Sequence, residues 1–103
     1  MPKSVAEVLL EEALRRLRVD GRPPSRAALT SLRKLLEASI MVRNKAGGDY
    51  PHIQIQHHVG ILADCSRGYD WRAWGEKVAM QTEGSYNRGH VLREIKRLAE
   101  GQP

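Results

Sequence analysis

The chain has 103 residues, with 17 basic and 12 acidic side chains, a net charge of +5, one cysteine and no phenylalanine. A single cysteine excludes an internal disulfide, and with it a disulfide-built secreted scaffold. The longest uncharged run, Tyr50 to Ala63, holds three histidines and two glutamines, which excludes a membrane span there.

This length suits one domain over residues 1–103, with a core of Leu, Ile and Val anchored by a few large rings. Met1-Pro2-Lys3-Ser4 leads into a charged amphipathic segment without a signal-peptide core, so the expected location is cytoplasmic.

The first helix is announced by Ser4-Val5-Ala6-Glu7, a capping box in which the Ser hydroxyl accepts from a free backbone N–H. Ala6, Leu10, Ala13, Leu14 and Leu17 fall on one face. Glu11–Arg15 and Glu12–Arg16 are spaced for ion pairs on the wet side. Asp20-Gly21 ends the helix, and Pro23-Pro24 forbids its continuation.

Ser25 is the expected cap of a second helix running to about Lys45. Leu29, Leu32, Leu36 and Ile40 form its stripe, which Leu35 and Met41 widen. A stripe this broad predicts a central helix with several neighbours. Arg26, Arg33, Lys34, Arg43 and Lys45 give it a basic surface. Residues 21–50 carry six basic and two acidic side chains, most of the chain's excess. Gly47-Gly48 ends this helix, and Asp49-Tyr50-Pro51 is a turn.

Residues 52–65 alternate like a strand, yet Ile55, Val59 and Leu62 also fit a helix. A lone strand cannot satisfy its backbone, so helix is expected, ended by Ser66-Arg67-Gly68. Asp70 caps a fourth helix from Trp71 to about Gln81, with Trp71, Trp74 and Val78 on one face. Gly84-Ser85 breaks the chain, and Ser85 caps a fifth helix. Val91, Leu92, Ile95, Leu98 and Ala99 form its apolar stripe, opposite Arg93, Lys96 and Arg97. The fold expected is all-α: a compact single domain of four to five short helices, with a helix-turn-helix-like C-terminal pair.

That pair carries the leading functional expectation, a small regulatory protein binding double-stranded DNA, possible as a homodimer on paired half-sites. In a helix-turn-helix the second helix enters the major groove, its first residues at the base edges. Those positions are Tyr86, Asn87, Arg88 and His90; Asn pairs with adenine and Arg with guanine. Arg93, Lys96 and Arg97 would then meet phosphates. Two amphipathic helices joined by an ordinary glycine turn would read the same way.

Gly21-Arg22-Pro23-Pro24-Ser25-Arg26-Ala27-Ala28, after an amphipathic helix, is similar to the first turn of plasmid KfrA-type DNA-binding domains. Gly84-Ser85-Tyr86 before a basic helix is similar to the turn preceding their third helix. In that family the two motifs lie close together; here the middle of the chain separates them.

The alternative is an inhibitor or adaptor docking on a larger host protein complex. Trp71 or Trp74 would then be exposed as an anchor, with Tyr69 and Arg72 beside it. Packed inward, the same two rings are simply core.

No catalytic or cofactor motif is present, so no enzyme activity and no cofactor are expected. His52, His57, His58, Asp64 and Cys65 invite a metal reading, but their spacing matches no familiar zinc pattern. Cys65 is expected to be a buried, inert thiol.

Overall fold

The computed structural model describes residues 4–43, 49–81 and 86–101, with the side chains of 43, 49–51, 86 and 87 outside the description. Five helices follow in order: α1 Val5–Leu17, α2 Arg26–Arg43, α3 Asp49–Cys65, α4 Trp71–Gln81 and α5 Tyr86–Glu100. Among the described residues there is no strand beyond an isolated bridge between Val19 and Arg22. The fold is all-α. Its radius of gyration is 12.9 Å, the size of one compact domain of this length.

α1 begins as the capping motif demands, with the Glu7 N–H donating to Ser4 Oγ at 3.2 Å. It buries Ala6, Leu9, Leu10, Ala13 and Leu17. The helix stops earlier than expected, because Asp20-Gly21 makes a reverse turn rather than a helix end. Both residues have positive φ, 53° and 76°, and Arg22 N–H donates to Val19 O at 2.9 Å. Positive φ at both central positions is the tight hairpin turn for which Asp-Gly is a preferred pair.

Ser25 caps α2, accepting from Ala28 N–H at 3.1 Å. Leu29, Leu32, Leu35, Leu36 and Ala38 are fully buried. The broad stripe has the predicted consequence: α2 is the central helix, packed on α3, α4 and α5. Met41 does not widen it; that side chain is exposed. Position 41 lies on the wet side of α2, roughly 140° from Leu36 at 100° per residue.

The ambiguous third segment is helix, and it begins sooner than expected, at Asp49. Pro51 is its third residue, where the missing N–H would have no intrahelical acceptor. Ile55 and Leu62 are buried, whereas Ile53 faces solvent, as a helix but not an alternating strand requires. Gly68 closes the segment with φ +84°. Asp70 caps α4 through Ala73 N–H at 3.0 Å.

α4 seats both tryptophans in the core, at 0% and 2% exposure. Tyr69, Trp71 and Trp74 form an edge-to-face series, with centroids 4.7 and 6.0 Å apart. Trp74 Nε1–H donates to Leu9 O at 2.8 Å, tying α4 to α1. Arg16 lies over the Tyr69 ring at 5.3 Å rather than on Glu12. Gly47, Gly48 and the turn at 82–85, with the Ser85 cap, lie outside the described residues.

Candidate nucleic-acid interface

Of the residues proposed to read bases, Arg88 turns away from the expected phosphate contacts. One helical residue turns the chain by about 100°, so Arg88 points roughly 140° from Arg93 and roughly 180° from Arg97. Arg88 shares a row with buried Val91 and Ile95, and is itself half-buried. His90 lines a cleft of about 390 Å³ with Glu7, Glu11 and Glu94, against Leu10, Leu14 and Leu98. That is a carboxylate-lined seam between α1 and α5. Tyr86 and Asn87 stand in the first turn of α5, with side chains outside the description.

The expected phosphate contacts do share a face. Arg93, Lys96 and Arg97 are exposed opposite the stripe of α5. Two of them are engaged: Arg97 bonds to Glu94, and Lys96 meets Glu100 at 4.0 Å. The Arg97 bond is the main reason the Glu94 carboxyl lies below its usual range, since burial alone would raise it. Arg93 has no ion pair among the described residues.

The basic surface of α2 divides similarly. Arg33 and Lys34 both turn to Glu37, at 3.2 and 3.8 Å. Arg26 is exposed and makes no ion pair among the described residues. The side chain of Arg43 and all of Lys45 lie outside the description.

A different cluster emerges at one end of the bundle. Arg22 and Arg26 line a cleft of about 450 Å³ with Leu17, Ser25, Asp64 and Cys65. The walls are the Asp-Gly turn, the start of α2 and the end of α3. Arg67 follows α3 by two residues, and Arg18 lines a neighbouring cleft with Pro23, Pro24 and Leu98. All four arginines are exposed, and none makes an ion pair among the described residues. Asp20 and Asp64 offset part of this charge.

Only Arg26 of these four is legible as a site from pattern alone. Arg18 and Arg22 sit in the α1–α2 connection and Arg67 in the α3–α4 connection, outside any helical pattern. The Asp-Gly pair is the signal that brings Arg18 and Arg22 to one tip.

The remaining chemistry is sparse. Cys65 is exposed, not buried, because it ends α3 beside the cleft. Among the described residues no group of His, Cys, Asp and Glu is arranged to hold a metal ion. Among them, no helix is long and apolar enough to cross a membrane. Trp71 and Trp74 are buried in the core, not exposed as the partner-anchor reading requires. Comparison with family models, curated proteins and solved structures finds no match for this chain.

Proposed function

We propose that this is a small non-enzymatic protein that binds the phosphate backbone of double-stranded DNA through its arginine-bearing end. The observation that carries the reading is the gathering of Arg18, Arg22 and Arg26 at adjoining clefts around the Asp-Gly turn and Pro23-Pro24, without a carboxylate bound to any of them among the described residues. Guanidinium groups held this way bind phosphate oxygens in pairs of hydrogen bonds and carry no sequence information. The C-terminal end of α5 adjoins this surface, because Leu98 faces Arg18 across the smaller cleft. Arg93, exposed on the outer side of α5 and without an ion pair among the described residues, adds a positive charge there. Binding is then sequence-tolerant and steeply salt-dependent.

Fluorescence anisotropy of labelled duplexes of unrelated sequence tests this. Similar affinities that fall with salt support it; no binding of any duplex at low salt overturns it.

A second reading, a protein-docking adaptor, is favoured by one observation: the α1–α5 cleft has an apolar floor of Leu10, Leu14 and Leu98 under a rim of three glutamates. A partner held through Leu14 and Leu98, together with no duplex binding, would replace the first reading with this one.

A further inference from the structure

His57 and His58 have no part in the proposed interface, yet His58 lies on α3, the helix packed most extensively on α2, and is close enough to Lys34 of α2 to feel its charge. Its ring is half-buried, and its Nδ1 is buried with no hydrogen-bond partner. A neutral ring suits this site with Nδ1 bare and the proton on Nε2. Protonation would put a charged N–H at Nδ1, where nothing accepts it. Burying such a donor unpaired is costly.

The surroundings act in the same direction. His57 meets His58 edge-on, with ring centroids 4.9 Å apart. Lys34 faces it from α2, its own charge partly met by Glu37 at 3.8 Å. Burial first, then His57 and Lys34, hold the His58 pKa below its usual value. Among the described residues no carboxylate acts on it, from α2, α3 or α4.

We propose that the α2–α3 contact is a proton-sensitive catch: protonation of His58 loosens α3 from α2. The two helices run so that the effect reaches the arginine cleft. Seven residues beyond His58, about 10 Å along α3, Cys65 lines that cleft; eight residues before Lys34, Arg26 lines it from α2. Acid pH therefore opens the cleft between the start of α2 and the end of α3. Only the relevance of this opening to DNA rests on the function proposed above.

The sign follows from linkage. The folded pKa lies below the unfolded one, so the unfolded chain binds the proton more readily. Stability is full above the ordinary histidine value, near pH 6.5. It falls as pH drops from there through the folded pKa, then levels off.

Three measurements on the full chain, without nucleic acid, test the catch. In an NMR titration the His58 ring midpoint should lie below the ordinary histidine value, near pH 6.5, and Lys34→Met should raise it. Between about pH 7.5 and about pH 5, the urea midpoint should fall for the wild type and for His57→Gln. For His58→Gln most of that fall should vanish. An environment-sensitive fluorophore on Cys65, the sole thiol, should shift over the same pH range, and not in His58→Gln. A His58 midpoint at or above the ordinary histidine value overturns the proposal, as does an unchanged slope in His58→Gln or a silent Cys65 probe. Because no DNA is present, failure to bind duplex leaves this test intact.

Discussion

Trp74 donates its indole N–H to the carbonyl of Leu9 at 2.8 Å, joining residues 65 positions apart in sequence. Trp71, one helical turn away and equally buried, has an indole N–H with no partner. The two rings therefore have unequal polar roles. Trp74→Phe removes a buried bond, whereas Trp71→Phe removes a buried donor that is unsatisfied. Trp74→Phe should cost about 1–2 kcal/mol more in urea unfolding than Trp71→Phe. Either tryptophan replaced by Ala should cost about 3–5 kcal/mol through the cavity left behind. Equal costs for the two Phe variants would contradict this account of the core.

Gly75 and Ser39 set how closely α4 approaches α2. A β-carbon at Gly75 would stand 2.7 Å from Ser39 Oγ and 3.1 Å from Leu35 Cγ. Gly75→Ala should destabilise by about 1–3 kcal/mol despite the better helix propensity of Ala. Ser39 Oγ is buried without a partner, so Ser39→Ala should be neutral or stabilising. In a double-mutant cycle by chemical denaturation, Ser39→Ala should recover part of the Gly75→Ala loss. Strict additivity would show that the two helices give way instead.

The Asp20-Gly21 turn predicts a backbone effect with no packing change. A β-carbon at Gly21 would meet nothing within 4 Å, yet φ there is +76°. Gly21→Ala should cost about 1–2 kcal/mol through the left-handed conformation alone. Asp20→Asn, which tolerates the same conformation, should be nearly neutral. Thermal unfolding of both variants checks the contrast.

How much of this is legible in the sequence depends on the range of the interaction. Ser4, Ser25 and Asp70 are readable as caps because the bond they form spans three residues. The apolar stripe of α5 is readable because period and burial coincide at Val91, Ile95 and Ala99. The α3 segment resists because Ile53, Ile55, Val59 and Ile61 fit two periods, and only contact with α2 makes Ile55 and Leu62 the buried pair. Burial of the tryptophans is equally non-local, since the acceptor for Trp74 lies on α1. Arg88 leaves the expected basic face for a local reason. A helical-wheel count puts it in one row with buried Val91 and Ile95, whereas His90 falls close to Arg93 and Arg97. The arginine end is the least legible feature: Arg18, Arg22 and Arg26 recur every four residues, yet the Asp-Gly turn and Pro23-Pro24 divide them between the end of α1, a connection and the start of α2.

The most direct test of the proposed function is duplex binding by charge variants across about 50–200 mM salt. Arg22→Ala or Arg26→Ala should weaken binding of every sequence and lower the salt slope by about one phosphate contact. The double reversal Arg22→Glu with Arg26→Glu should abolish binding while circular dichroism and urea midpoint stay close to the wild type. Arg88→Ala should bind as the wild type does. Unchanged binding by the folded double reversal, or loss of sequence preference in Arg88→Ala, would contradict the account and return the reading to the start of α5.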